Sequence, residues 1–258
     1  MDRFNCRRKQ VVRTRPGFSP HAKTTSLAIY SVTIYLLIAN QGNTPPRREP
    51  ADGDRNVINR GARSALPPRL PRGPVPLRAM RADHDFHPLV TERLLLRRSV
   101  PEDAETIATY RSDPEVSRYQ GWETTATEGV RASIQEMMSR APGEPGGWVQ
   151  LSVEERESGR LVGDVGLSPA EGEPGVIKIG YTMAPAFQGR GYATEAVAAL
   201  AAYAFDTLGA DVVRAYASAA NLPSIRVAEK IGMRLVERLE HRRGDETWFG
   251  VRYELRNR

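Results

Sequence analysis

The segment of this 258-residue chain whose residue types and spacing best suit chemistry is Gln188-Gly189-Arg190-Gly191-Tyr192-Ala193, two glycines two apart with a helical pattern starting directly behind them. Glycine adopts positive φ and lets backbone approach a ligand closely, while a helix start offers unpaired N–H groups and the positive end of its dipole. The chemistry implied is capture of a phosphate or diphosphate on main-chain amides. The donors would be the amides of Gly189, Gly191 and Ala193, with the Arg190 side chain free to reach a phosphate and Ala193 small enough for a ligand to lie against the helix. An isolated Gly-x-Gly before a helix is also what an ordinary loop looks like. A P-loop needs Gly-Lys-Ser/Thr, which is absent here, and the dinucleotide fingerprint wants a third glycine where Thr194 stands.

The elements that must position this turn follow from hydrophobic periodicity. A strand at 94–98 leads into Ser99-Val100-Pro101-Glu102, a capping box with proline in the first turn of a helix that runs to about Arg111. Asp113-Pro114 breaks it, Thr125-Ala126-Thr127-Glu128 opens a second helix through about Arg140, and Pro142-Gly143 with Pro145-Gly146-Gly147 ends that one. Strand patterns at 148–155 and 161–168 are joined in hairpin fashion by Glu157-Ser158-Gly159-Arg160, and a third occupies 175–183. In the helix predicted at 191–208, Ala193, Ala196, Val197, Leu200, Ala204 and Leu208 recur at three and four, so one face packs on a sheet. A strand at 212–217, a helix from about Leu222 stopped by Gly232, and strands at 233–241 and 246–255 complete the order β-α-α-β-β-β-α-β-α-β-β. The chain is thus read as mixed α/β (α+β), with about seven strands, four helices and no internal repeat.

Charge divides the chain in two. Residues 1–88 carry 16 Lys and Arg against 6 Asp and Glu, whereas 89–258 carry 21 against 25, so the net +6 resides in the first third. A pI near 9.7 therefore implies nothing about nucleic acid for the patterned part, which is mildly acidic and suits an amine substrate. Cys6 is the single cysteine and His241 the single histidine after residue 88, which argues against disulfides, zinc chemistry and a Ser/His/Asp triad, and nothing points away from the cytoplasm. Residues 41–88, with nine prolines and nine arginines, are expected to be disordered. The apolar run at 26–39 follows a basic stretch in the manner of a signal peptide and is shorter than the roughly 20 residues a spanning helix needs. It is read as translated sequence upstream of a true start at Met80, with a membrane anchor or a vestigial export signal as the alternatives. The domains expected are a basic leader, 1–88, and one catalytic domain, 89–258.

Four motifs in order carry a family resemblance. Ile177-Lys178-Ile179-Gly180-Tyr181, the glycine turn, Asn221-Leu222-Pro223-Ser224 and Glu229-Lys230-Ile231-Gly232-Met233 together resemble the GNAT superfamily of N-acetyltransferases. The opening Thr91-Glu92-Arg93-Leu94-Leu95-Leu96-Arg97 resembles its RimJ/RimL-like subgroup. The resemblance covers essentially all of 89–258. It implies the GNAT fold, a twisted, mostly antiparallel sheet with a V-shaped splay between the fourth and fifth strands.

The same resemblance implies acetyl-CoA as co-substrate, no metal, and direct attack by an amine in a ternary complex. It assigns Tyr181, Thr182 and Met183 to backbone contacts with the pantetheine arm and thioester carbonyl, and Gln188, Gly189, Arg190, Gly191, Tyr192 and Ala193 to the diphosphate. Asn221 and Ser224 match the subgroup's Asn-x-x-Ser, although Asn221 also suits an N-cap. Ser224 is the remaining side chain to protonate the thiolate, because the tyrosine many relatives carry four residues on is Ala228 here. Candidates to accept the amine proton are Glu240, Asp164 and, through water, His241. Tyr119, Gln120, Gly121 and Trp122 are expected to wall the acceptor pocket. The acceptor is read as a protein N-terminal amine, with a small-molecule amine as the alternative, no nucleic-acid partner, and a monomer or homodimer. A silent acyl-CoA-binding module is the remaining rival, kept open by Ala228 and by Lys178, where subgroup members often carry an acid.

Overall fold

The computed structural model describes residues 80–120, 126–243 and 246–257. The leader through residue 79, with its apolar run, lies outside the described residues, as do Gly121, Trp122 and Thr125. Eight strands form the sheet: β1 (Leu89–Val90), β2 (Leu94–Arg98), β3 (Val149–Glu155), β4 (Leu161–Pro169), β5 (Val176–Met183), β6 (Val212–Ser218), β7 (Arg234–Arg243) and β8 (Glu246–Arg256). Their order across the sheet is β1-β2-β3-β4-β5-β6-β8-β7, antiparallel throughout except for the parallel pair β5–β6. The strand beyond the seven expected is β1, too short for a period-two signal and held by Leu89 opposite Leu96.

Two layers of helix cover the sheet. On one face lie α4 (Tyr192–Asp206) and α5 (Leu222–Lys230), and the main core is the apolar side of the strands packed on the predicted stripe. Ala196, Val197, Leu200, Ala204 and Leu208 are fully buried there with Leu96, Leu151, Ile177, Ile179 and Val213, and Ala193 sits at the margin. On the other face, α1 (Ala104–Arg111), the single turn α2 (Pro114–Ser117) and α3 (Thr127–Met138) gather around a smaller cluster, Ile107, Tyr110, Val130 and Ile134.

The capping box before α1 is displaced by one residue from the sequence expectation. The Val100 amide donates to Asp103 Oδ2 at 3.0 Å, and Ser99 instead shares a proton with Ser152 Oγ at 2.9 Å on β3. Residues 101–103 form a 3₁₀ turn before the helix proper. A buried partner on the sheet outcompetes a local cap for the serine hydroxyl.

Among the described residues, the packing extends from Leu89 back to Met80. Met80 and Phe86 pack against the core, the Arg81 amide donates to Leu208 O at 2.9 Å, and Tyr203 donates to Asp83 Oδ2 at 2.6 Å. Composition grouped residues 80–88 with the leader because two anchoring apolar side chains are too few to register as a pattern.

The splay is a feature of register. β5 and β6 pair from Val176 opposite Val212 to Ile179 opposite Ala215 and no further. Past that point β5 stays bound to β4, with Thr182 opposite Asp164, and β6 stays bound to β8, with Ala217 opposite Val251. Each strand follows its antiparallel neighbour, and the parallel pair opens.

Candidate active site

The glycine turn hangs from the open end of β5. A 3₁₀ turn, Pro185–Phe187, leads into Gln188, whose Nε2 donates back to Met183 O at 3.0 Å. Gly189 and Gly191 adopt φ of 75° and 83°, the left-handed region that side-chain-bearing residues avoid. The first helical bond of α4 runs from Glu195 N to Gly191 O at 3.1 Å, so the amides of Tyr192, Ala193 and Thr194 precede it and have no carbonyl within the helix. A Cβ on Gly189 would meet nothing within 4 Å, and one on Gly191 only Arg93 Nη2 at 3.4 Å. The glycines therefore answer a demand of φ, and the space above the turn is open, as an anion requires. Arg190 is exposed and lays its guanidinium over Phe187, 5.3 Å from the ring centre. Tyr192 is buried and its hydroxyl donates to the Glu155 carboxylate, leaving its amide as its contribution to the turn.

At the mouth of the splay, Tyr181 reaches across to the first turn of α5. Its hydroxyl donates to Ser224 O at 2.8 Å and accepts from Ser224 Oγ at 3.0 Å. Burial pushes the Tyr181 phenol up to about 12 against the opposing pull of the Ser224 hydrogen bond. Asn221 caps α5, its Oδ1 accepting from the Ser224 amide at 3.2 Å, so the capping role expected for it is present. Ala228 is buried in the core and its side chain has no proton to donate. Thr182 and Met183 are buried side chains whose backbone lies in the unpaired stretch of β5 facing β6.

The three base candidates occupy different settings. Asp164 is 2 % exposed and held by three donors: its carboxylate accepts from Tyr110 Oη, from Gln150 Nε2 and from Arg111 Nη2 at 3.3 Å. Burial, reinforced by the Asp164 charge, holds the Tyr110 phenol well above its ordinary value. Glu240 lies on exposed β7, paired with Arg242 at 2.6 Å and opposite Phe249. His241 is opposite Trp248 and therefore on the other face, its ring stacked on the indole at 5.5 Å between centroids. His241 Nε2 is buried without a hydrogen-bond partner. Gly250 makes room for the ring: a Cβ there would come within 3.1 Å of Nε2 and 3.7 Å of Ala217 O, at the open end of β6.

Register separates these groups by face. Asp164, Thr182, Gly250 and His241 look toward α1 and α3, while Tyr181 looks toward α4 and α5. The splay thus has a turn-and-serine side and an imidazole side. Tyr119 is half-buried under the Arg118 guanidinium, 4.7 Å from its ring centre, beside half-buried Gln120. The expected Gly121–Trp122 part of that wall lies outside the described residues. Lys178 pairs opposite Arg214 in the closed half of β5–β6, away from the mouth, and burial lowers its pKa.

Residues 93–234 match the family model described as an acetyltransferase (GNAT) domain. The chain belongs to the GNAT acetyltransferase family. The N-acetyltransferase p20 of Bacillus licheniformis is 32% identical over 143 residues, 55% of this chain and 80% of p20. A GNAT-family acetyltransferase structure from Bacillus anthracis superposes with a TM-score of 0.58 at 27% identity, over 66% of this chain and 98% of that one. RimL, a ribosomal-protein alpha-N-acetyltransferase solved with coenzyme A, gives 0.58 at 15% identity over 66% and 98%, a likeness of fold.

The chain is accordingly an N-acetyltransferase of the GNAT family, with the mixed sheet and V-shaped gap expected from the resemblance. Two relationships in the site escaped the sequence reading. The Tyr181–Ser224 pair spans 43 positions, and the ion pair of Arg93 with Glu195, at 2.6 Å, spans 102. Arg93 was visible only as part of an opening motif whose partner lies across the fold. Among the described residues, no helix is long and apolar enough to cross a membrane, and no group of three or more His, Cys, Asp or Glu side chains is placed to hold a metal.

Proposed function

We propose that the chain transfers the acetyl group of acetyl-CoA to the N-terminal amine of a protein by direct attack in a ternary complex. The observation that carries this reading is the Gln188 Nε2 to Met183 O hydrogen bond, 3.0 Å, which ties the anion-binding turn to the strand end that has left its neighbour. On it, the amides of Gly189, Gly191, Tyr192 and Ala193 and the Arg190 side chain take the diphosphate. The backbone of Tyr181, Thr182 and Met183 lies along the pantetheine arm and offers N–H groups to the oxyanion that forms at the thioester carbonyl. Asn221 and Ser224 bound the arm from α5, and Ser224 Oγ is the hydroxyl we assign to the departing thiolate.

The setting of the bases favours an α-amine. A lysine ε-amine titrates near 10.4 and must lose a proton to attack, whereas an α-amine near 7.7–8.0 is already partly neutral. Asp164 is buried and already accepts from three side chains, and Glu240 is exposed and paired. His241 is the candidate left with a free ring nitrogen, at the open end of β6 on the face opposite Ser224. We assign it the proton of the attacking amine, directly or through water, with Tyr119 at the acceptor wall.

A thiol-release assay with acetyl-CoA, run over peptides with free N-termini, peptides acetylated at the N-terminus but bearing lysine, and small polyamines, tests the proposal. Turnover confined to free N-termini is the expected result. Turnover with polyamines alone would replace the acceptor, and coenzyme binding without turnover on any amine would leave a silent binding module.

A further inference from the structure

We infer that Arg93 is the positioning residue of the glycine turn, which it orients by capturing the Arg190 carbonyl; this rests on the coenzyme site proposed above. Arg93 Nη1 donates to Arg190 O at 3.0 Å. A trans peptide holds its C=O and the following N–H in opposite directions. Drawing the Arg190 carbonyl toward β2 therefore aims the Gly191 N–H the other way, into the open side of the turn. The same bond removes a carbonyl that would otherwise be free to face an incoming diphosphate and repel it.

Arg93 is itself fixed from three directions. Its Nε and Nη2 bind Glu195 Oε2 at 2.7 and 2.6 Å, and its guanidinium lies over the Tyr192 ring, 4.7 Å from the centre. Glu195 also accepts from the Arg93 amide at 2.9 Å and from Thr91 Oγ1 at 2.6 Å. Burial alone would raise the Glu195 carboxyl, but the hydrogen bonds from Thr91 and Arg93 outweigh it and hold the group below the ordinary carboxylate range. The 91–93 segment is pinned in turn by Arg156, which donates to Thr91 O at 2.8 Å and Glu92 O at 2.9 Å. With its charge matched by Glu195, Arg93 acts on the turn's geometry, and the charge offered to a phosphate remains that of exposed Arg190.

Arg93→Ala and Arg93→Lys separate this role from simple stability. Lysine can keep the ion pair with Glu195, but its single ammonium cannot also reproduce the fork that reaches Arg190 O. Both variants are expected to bind CoA about 10-fold or more weakly by titration calorimetry, the scale of a lost charge-assisted hydrogen bond. The KM for acetyl-CoA should rise while the acceptor KM and kcat stay put. Trypsin cleavage after exposed Arg190 should accelerate in both, measured against cleavage after Arg242 in the same digest. This second readout needs no coenzyme. Unchanged cleavage at Arg190, or wild-type CoA affinity in Arg93→Lys, overturns the inference. Failure of the unaltered chain to bind CoA sinks the proposed function, and with it the purpose given to the clamp, and is recognised by that control alone.

Discussion

Ser224 donates its hydroxyl proton to the phenol oxygen of Tyr181 at 3.0 Å, and Tyr181 returns its own to the Ser224 carbonyl at 2.8 Å. The pair joins the open end of β5 to the first turn of α5 across the gap that parallel pairing has abandoned. It also fixes where the serine proton points before any thiolate arrives, so protonation of the leaving group requires the Ser224 hydroxyl to turn away from Tyr181.

Tyr181→Phe removes both bonds and leaves the ring in place. The expected cost is about 1–3 kcal/mol in urea unfolding near neutral pH, since a half-buried pair of hydrogen bonds to Ser224 is lost. The folded phenol titrates at about 12, above its ordinary value near 10, so its contribution is complete below pH 10 and is lost as pH rises from 10 toward 12. Stability measured across that window should therefore fall more steeply for the wild type than for the variant. Parallel curves would show that the phenol is not held in this way.

Asp164→Asn distinguishes a structural carboxylate from a base. The amide cannot accept from Tyr110, Gln150 and Arg111 together, and it removes the Asp164 charge from the buried Arg111 pair. Breaking a buried pair in this manner costs about 3–5 kcal/mol. A thermal melt should drop by many degrees. A variant as stable as the wild type but inactive would instead make Asp164 the base.

How much of this was legible beforehand depended on the range of the interaction. Local periodicity placed β2 through β8 and α4 to within a residue or two, because Ala196, Val197, Leu200 and Ala204 repeat with the pitch of the helix they form. The Gly189–Gly191 turn was legible for the same reason, since positive φ and a helix start are local demands. The Ser99 cap was misplaced because Ser152, 53 positions away, competes for the same hydroxyl. Arg93 and Glu195, or Tyr181 and Ser224, carry no trace of one another in a single sequence. Among the base candidates, spacing could not separate Glu240 from His241, yet adjacency on a strand sends them to opposite faces.

His241→Gln and Glu240→Gln test that division. Glutamine at 241 keeps size and hydrogen-bonding capacity but accepts no proton at neutral pH, so kcat with a free N-terminal peptide should fall about 100-fold, the scale of general-base assistance. Glu240→Gln loses only an exposed pair with Arg242 and should leave kcat within about twofold, as surface pairs contribute little. Reversed outcomes in steady-state assays would move the base to the α5 side of the sheet.

Gly189→Ala and Gly191→Glu probe the turn by different physics. The alanine Cβ at 189 meets no atom, so its only penalty is the left-handed φ of 75°, about 1–2 kcal/mol of stability. Its CoA affinity should stay within a few-fold of the wild type. At Gly191, with φ of 83°, glutamate adds the same backbone strain and places a carboxylate beside the amides that would bind the diphosphate. CoA binding by calorimetry should disappear while circular dichroism and the unfolding transition remain those of a folded domain. Unchanged affinity in Gly191→Glu would mean that the diphosphate binds elsewhere, and equal loss in both variants would assign the effect to strain rather than to charge.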